Sequence, residues 1–326
     1  MKKLWQLWMT AALAVLLLVG CGQKEATPVE NTDKPKEEVV KETAADEATF
    51  PLTITDAVGN EITLEEAPKT IVSMMPSNTE ILFALGLNNE IVGVNDFDNY
   101  PAEALEKEKI GGMEFNVEKI VGMNPDIVFA HESSLGMGEA GLQQIRDAGV
   151  KVFVVKNAAD FNETYTTIEQ IGRATGKLAE AQKIVEDMKA KVEEVKEKVA
   201  KVETKKTVFV ETSDVPEIYT PGKGTFMQEI LDMVNAENIA ADQEGWFKIE
   251  PEEIVSRNPD VIIVMYSYVE GIVDSVKARD GFDTITAVKN NEVVQVDENL
   301  TSRTGPRLAE GLEEVAKAIY PEAFSE

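Results

Sequence analysis

The chain is poor in the residues from which most catalytic and metal sites are built. Its 326 residues include one cysteine, Cys21, and one histidine, His131. A single cysteine has no partner for an intramolecular disulfide bond. One histidine leaves little room for a zinc site or a catalytic triad, and no Gly-x-Ser-x-Gly nucleophile motif is present. These absences exclude a histidine-rich binder of free transition metals and disfavour a hydrolase.

Positive charge is also scarce. The chain has 32 Lys and Arg against 59 Asp and Glu, which gives a formal net charge of −27. Nucleic acid and anionic lipid surfaces both attract basic proteins, so neither is an expected partner. The acidic balance favours solubility or docking onto a basic partner.

The amino terminus has the pattern of an export signal. Two lysines precede an apolar run that is too short for a comfortable membrane span. The run ends in Leu18-Val19-Gly20-Cys21, the aliphatic, small, small, Cys order of a lipoprotein signal. We predict a signal peptide over 1–20 and lipid attachment, such as palmitate, at Cys21, which would anchor the protein outside the cytoplasm on the cell membrane. An N-terminal transmembrane anchor is the alternative.

The rest of the chain divides by composition. Residues 21–49 contain Glu, Lys, Thr, Ala and Pro but almost no large apolar residues, so we predict a flexible linker. Residues 50–326 are long enough for two lobes. We predict a first lobe over about 50–160, a bridging helix over about 161–203 and a second lobe over about 204–326.

One segment of the chain occurs twice. Glu118-Lys119-Ile120-Val121 leads to an Asn-Pro-Asp turn and a β-branched run, and Glu252-Glu253-Ile254-Val255 does the same. Each copy predicts a short helix, a turn and a buried strand. The period is too long for a solenoid and indicates two similar lobes with a cleft between them. The alternative is that a common helix–turn–strand sequence pattern occurs twice by chance.

Strands and helices alternate through both halves. We therefore predict an α/β fold with two similar lobes, each a mostly parallel sheet flanked by helices, joined by one long α-helix. Pro76 to Glu80 is predicted as a loop before a helix at Ile81–Leu85. Gly136 to Gly141 matches a dinucleotide fingerprint but lies too far past its strand, and we interpret it as a flexible cap before a helix at Leu142–Ala148.

The segment from Leu178 to Lys201 is strongly helical. Its apolar positions recur at three- and four-residue spacing, with Lys and Glu on the other faces. A coiled-coil dimer is one interpretation, but the stripe covers only about three heptads. Its central place favours a strut between the lobes.

Several stretches together resemble the substrate-binding lipoproteins of ABC importers for cobalamin, ferric siderophores and haem. They span nearly all of the chain from Phe50 to Pro321. They include Ile71 to Leu82, Ile110-Gly111-Gly112, Tyr219 to Phe226, Glu237 to Ala240 and Ser302 to Leu308. The resemblance implies a non-catalytic monomer that delivers a ligand to a permease dimer with its cytoplasmic ATPase. It also implies that one glutamate on each lobe, Glu118 and Glu252, pairs with permease arginines. Both are otherwise ordinary first-turn acids, and Glu253 is an uncertain neighbour.

A bulky planar ligand needs flat apolar walls and a few polar groups. The loops after the predicted strands supply candidates, near which pocket residues of the family fall. The candidates are Pro76, Ser77, Asn78, Phe97, Met113 and His131 in the first lobe, and Tyr219, Trp246, Phe247 and Arg303 in the second. Each one is alternatively a core or rim residue.

The ligand itself is less well specified. No cofactor and no direct metal site are expected, although a neutral His131 has the chemistry to ligate cobalt or haem iron. Met113 agrees with haem, but haem binders of the family also need a second-lobe histidine, which this chain lacks. Tyr266 and Tyr268 are possible substitutes. We rank cobalamin or a related corrinoid first, a ferric siderophore second and haem third. An extracytoplasmic enzyme or sensor on a borrowed fold is the rival class.

Overall fold

The computed structural model describes residues 49–325. The predicted signal peptide, Cys21 and nearly all of the predicted linker lie outside these residues. The first half and the bridge contain β1 (Leu52–Thr55), β2 (Glu61–Leu64), β3 (Ile71–Ser73), α1 (Pro76–Ala84), β4 (Ile91–Val94), β5 (Glu108–Lys109), α2 (Val117–Gly122), β6 (Ile127–His131), α3 (Leu135–Asp147), β7 (Lys151–Val155), α4 (Phe161–Ala174) and α5 (Leu178–Val199).

The second half repeats this alternation with shorter helices. Its elements are β8 (Thr207–Glu211), β9 (Tyr219–Pro221), α6 (Phe226–Met233), β10 (Glu237–Asn238), β11 (Trp246–Lys248), α7 (Pro251–Arg257), β12 (Val261–Val264), α8 (Ile272–Lys277), α9 (Thr286–Lys289), β13 (Val293–Gln295), α10 (Glu298–Ser302) and α11 (Leu308–Ile319).

Each half is built on a parallel sheet, which confirms the predicted α/β class. The first sheet has the order β5-β4-β3-β6-β7 and the second the order β10-β8-β12-β13. The β-branched central strands are buried on both faces, as parallel sheets require. In β12, Val261 and Ile263 enter one apolar cluster, whereas Ile262 and Val264 enter another. We call the sheet β3–β7 with its helices the first lobe, and the sheet β8, β10, β12, β13 with its helices the second lobe.

The bridge consists of two helices separated at Gly176, whose φ of +72° is a left-handed value that glycine adopts without strain. The apolar stripe of α5 is buried within the chain against α4 and α11, so it needs no coiled-coil partner. One apolar cluster runs from the first sheet through α5 to the second sheet. It includes Phe129, Val192 and Ile263.

The internal repeat extends to the backbone. Asn124 and Asn258 close the two helices with nearly equal positive φ values, +49° and +47°. The next aspartate, Asp126 or Asp260, then accepts the N–H of the residue at the start of the central strand, at 3.0 and 2.9 Å. A chance recurrence would not reproduce both features, so the repeat marks two equivalent lobes.

Two local predictions were wrong. Pro76 to Glu80 form the first turns of α1 and not a loop, because Pro76 occupies the first helical position where its missing N–H has no cost. Gly136 to Gly141 lie inside α3 and are not a flexible cap. The ring of Phe115 packs within 3.0 Å of where a Cβ on Gly138 or Gly141 would stand, so these glycines admit the ring. Among residues 49–325, no helix has the length and apolar character that a membrane crossing requires.

Candidate functional site

The candidate ligand residues collect at the carboxyl edges of the two parallel sheets, the edge where open α/β sheets bind ligands. At the first edge, loops after β3, β4, β5 and β6 enclose a cavity of about 160 Å³. Its lining is apolar and rich in methionine, and includes Met74, Pro76, Phe97, Met113, Phe115 and Met137. A larger groove of about 720 Å³ lies between α5 and α11, and its rim is charged.

Phe97 projects from a braced turn at the first edge. Its side chain is 59% exposed although it is aromatic. Asn95 accepts the Phe97 N–H and donates to the Met74 carbonyl, both at 3.0 Å. The Asp98 carboxylate accepts from the Asn95 N–H at 2.7 Å. Burial raises the pKa of Asp98 to about 6, because the neutral form is easier to keep out of water. The turn is therefore rigid while its aromatic ring is open to a ligand.

Methionines extend this apolar surface. Met113 is 66% exposed in the loop after β5, and Met137 is still more exposed on α3. Unbranched thioether side chains adapt to irregular ligands and contact aromatic groups favourably. The first edge thus offers one fixed ring and two adaptable side chains.

The predicted ligand residues of α1 divide between two roles. Pro76 lines the cavity. Ser77 and Asn78 are buried, and the Asn78 amide donates to the Ala130 carbonyl at 3.0 Å and to the Phe129 carbonyl at 3.4 Å. The structure therefore places Asn78 as a tie between α1 and the end of β6.

His131 is buried at the end of β6. Its Nδ1 lies 2.8 Å from the Ser133 hydroxyl oxygen and 3.3 Å from the Ser133 backbone nitrogen. Burial lowers the pKa of His131 to about 4, so the ring is neutral at physiological pH. Within residues 49–325, no three His, Cys, Asp or Glu side chains form a metal-binding group.

At the second edge, β9 and β11 form an antiparallel ribbon. Trp246 pairs with Pro221, and Lys248 pairs with Tyr219, so Tyr219 and Trp246 share one face. Both are exposed, and Trp246 also contacts Phe226 with ring centroids 5.6 Å apart. Phe247 lies on the opposite face and packs against the core of the second lobe, which corrects its assignment to the ligand surface.

Tyr268, which the sequence suggested only as a substitute haem ligand, accepts the N–H of Asp214, in the loop between β8 and β9, at 2.9 Å. Its ring is 68% exposed and stacks on Tyr266 with centroids 4.8 Å apart. The hydroxyl of Tyr266 donates to Glu211, a fully buried carboxylate that forms two hydrogen bonds with Arg279. The signal in the sequence is an acidic residue, Glu211, at the end of a buried β-branched run. The buried Glu211–Arg279 ion pair therefore holds the Tyr266 ring, on which the exposed Tyr268 ring stacks.

Arg303 is not a free cation. Its guanidinium donates to the buried Glu80 carboxylate at 2.8 Å, and Arg307 binds the same carboxylate at 2.6 and 2.9 Å. Arg303 also reaches the Phe97 carbonyl at 3.3 Å. The structure therefore places Arg303 in an ion pair between the lobes, beside the Phe97 turn.

The two repeat glutamates occupy equivalent surface positions. Glu118 and Glu252 are each the second residue of a short helix, α2 or α7, and both are exposed. Neither forms a salt bridge with any residue from 49 to 325, whereas Glu253 is paired with Arg257. The helix dipole favours an acid at this position, but an unpaired acid also remains available to an external cation.

Comparisons with known proteins agree with this architecture. Residues 71–300 match the family described as periplasmic binding protein. A Bacillus subtilis protein, called an uncharacterized ABC transporter substrate-binding lipoprotein, is 43% identical over 329 residues and 100% of both chains. A Halobacterium salinarum cobalamin-binding protein is 28% identical over 281 residues, 83% of this chain and 74% of its own.

A solved structure agrees as well. It is described as a possible iron-binding (periplasmic solute-binding) protein from Staphylococcus epidermidis. It matches with a TM-score of 0.72 and 38% identity, over 78% of this chain and 100% of its own. The resemblance noted in the sequence is confirmed. The chain belongs to the periplasmic binding protein family, among the substrate-binding proteins of ABC transporters.

Proposed function

We propose that the protein is tethered outside the cytoplasm through a lipidated Cys21, captures cobalamin or a related corrinoid, and delivers it to the permease of an ABC importer. The observation that carries this proposal is the pair of exposed apolar surfaces at the two sheet edges. Phe97 and Met113 form the first, and Tyr219 and Trp246 form the second. A large, flat macrocycle is the kind of ligand that buries such surfaces, with few polar contacts to orient it.

Charge supports a corrinoid over an anionic ligand. Three arginines of the second lobe, Arg257, Arg279 and Arg303, are already paired with carboxylates. An anionic siderophore or a haem propionate would need a free cation to replace its water. A relative named for cobalamin binding agrees with this ranking. The second candidate is a ferric siderophore, which the solved structure described as possibly iron-binding favours.

To deliver its ligand, the protein would dock onto the permease through Glu118 and Glu252. One unpaired carboxylate on the same helix position of each lobe matches a two-fold permease that presents one arginine per subunit. Glu253 is less suitable because Arg257 already neutralises it. A monomer with its ATPase-coupled permease is the assembly we propose.

Fluorescence of Trp246 tests the ligand. The full chain carries three tryptophans, so Trp5→Phe and Trp8→Phe leave Trp246 as the only one. The chain in mild detergent is titrated with cyanocobalamin, with ferrioxamine B and haemin in parallel and a correction for ligand absorption. Saturable quenching by cyanocobalamin supports a corrinoid. Saturation by an iron complex with no response to cyanocobalamin contradicts it.

A further inference from the structure

In both lobes, the segment that carries the exposed ligand-facing residue continues into the proposed docking helix. Met113 and Phe115 precede α2 and its Glu118, and Trp246 precedes α7 and its Glu252. The covalent connection is short in each case. Each helix is also fastened by a cation to a part of its lobe that presents an exposed aromatic ring, and the two lobes use different residues to do so.

In the second lobe the cation is Arg257, at the end of α7. Its two terminal nitrogens bind the Asp242 carboxylate at 2.6 and 2.9 Å in the bidentate geometry that fixes orientation most tightly. It also donates to the Ile239 carbonyl. Hydrogen bonds to the Asp242 carboxylate raise the pKa of Arg257 above its ordinary value. Arg257 thereby fastens the loop 239–245, which delivers Trp246, to the helix of Glu252.

In the first lobe the cation is Lys119, adjacent to Glu118. Its ammonium donates to the Lys109 carbonyl and pairs with Glu108. The ammonium of Lys109 in turn donates to the Asn95 carbonyl at 3.1 Å and to the Asp98 carbonyl at 2.8 Å. These two carbonyls flank Phe97. Two successive lysines therefore connect α2 with the turn that presents the aromatic ring.

We propose that Arg257 and Lys119 are positioning residues that make the docking helix and the ligand wall of each lobe move as one unit. A displacement of α2 or α7 by the permease would then reach Phe97 or Trp246 and loosen the ligand. This inference rests on the proposed docking of Glu118 and Glu252, which supplies the displacement. The fastening itself needs neither ligand nor permease.

The first test measures acrylamide quenching of Trp246 in the full chain with Trp5→Phe and Trp8→Phe. We expect Arg257→Ala to raise the quenching rate about twofold and Arg257→Lys to restore part of the change, since the lysine keeps the charge but not the fork. There are two control variants: Lys119→Ala, in the other lobe, and Arg173→Ala, which changes an exposed arginine on α4. Both should leave the quenching rate of Trp246 unchanged. Unchanged quenching in Arg257→Ala overturns the proposal. An equal rise in Lys119→Ala also overturns it, because fastening would then not be specific to one lobe.

The second test measures uptake of radiolabelled cyanocobalamin by cells that express each variant in place of the parent. We expect Arg257→Ala to lower the maximal rate about fivefold with little change in half-saturating concentration, because ligand capture survives and release is uncoupled. A rise in the half-saturating concentration alone overturns the coupling to docking. Absence of uptake by the parent chain contradicts the corrinoid proposal, and the quenching result then still decides whether Arg257 fastens Trp246.

Discussion

Arg307 donates two parallel hydrogen bonds to Glu80 across the junction between the lobes. Its Nε and Nη2 lie 2.9 and 2.6 Å from the two carboxylate oxygens, and the Glu80 side chain is only 2% exposed. The ring of Tyr100 stacks over the same guanidinium, 3.6 Å from its carbon. Arg303 completes the group from the second lobe. The junction thus depends on one buried carboxylate that neutralises two partly buried arginines.

Glu80→Gln should be strongly destabilising. It leaves both arginines without a counter-charge, and breaking a buried ion pair in this way costs roughly 3–5 kcal/mol. Denaturant unfolding of the variant and the parent gives the difference. Glu66→Gln is a matched control, because Glu66 pairs with Lys69 in full contact with solvent and should cost less than about 1 kcal/mol. Similar losses in the two variants would contradict the role of the junction.

Glu118→Gln combined with Glu252→Gln should abolish ligand uptake by cells without changing ligand affinity. Each substitution removes a charge from an exposed helix end but leaves the cleft intact. Uptake and Trp246 quenching measure the two properties separately. Glu186→Gln, an exposed acid on α5, is the control and should leave both unchanged. Normal uptake by the double variant would eliminate the docking assignment.

His131 should make stability depend on pH. Burial lowers its pKa from 6.5 to about 4, so the unfolded chain binds the proton more readily between these values. The contribution of the neutral His131 side chain to the free energy of unfolding is complete above pH 6.5 and is lost as the pH falls towards 4. The unfolding free energy of the parent, minus that of His131→Asn, should drop by about 3 kcal/mol between pH 7 and 4.

The comparison with His131→Asn is necessary because Asp98 titrates in the same range with opposite sign. Its pKa is raised to about 6, so its contribution falls as the pH rises from about 4 to 6. Subtracting the unfolding free energy of His131→Asn from that of the parent cancels the contribution of Asp98, which both chains share. A difference that stays constant with pH would mean that His131 is not buried as described.

Two glycines of one helix should respond oppositely to alanine. A Cβ on Gly141 would lie 2.8 Å from the Phe115 ring, whereas one on Gly136 meets nothing within 4 Å. Gly141→Ala should cost about 1–3 kcal/mol by overpacking, and Gly136→Ala should stabilise by about 0.5–1 kcal/mol through helix propensity. Thermal or denaturant unfolding measures both. Two equal effects would show that Phe115 does not pack on α3.

The sequence predicts the regular elements well where apolar runs have clear boundaries. Its apolar runs predict strands at Lys151–Val155 and Thr207–Glu211 and a helix at Leu308–Ile319, and these are the limits of β7, β8 and α11. Single-residue roles are harder. Trp246 and Phe247 are both aromatic, and only the start of β11 decides which of them faces the core.

Long-range pairing is not readable from local patterns. Arg303 has the position of a ligand residue in the sequence, but its partner Glu80 lies 223 residues away. Asn78 has the same difficulty, since its hydrogen bonds reach across to β6. These side chains complete the interior of the fold, so their roles depend on which elements meet.

The apolar cluster that passes through α5 has a consequence for selectivity. Because the two sheets share one packed interior, altering their separation would open that interior to water. The spacing between the walls is therefore set before a cargo arrives. Such a receptor would discriminate by the thickness of the molecule it admits, would lose little conformational entropy on loading, and would keep nearly the same dimensions in solution when empty and full.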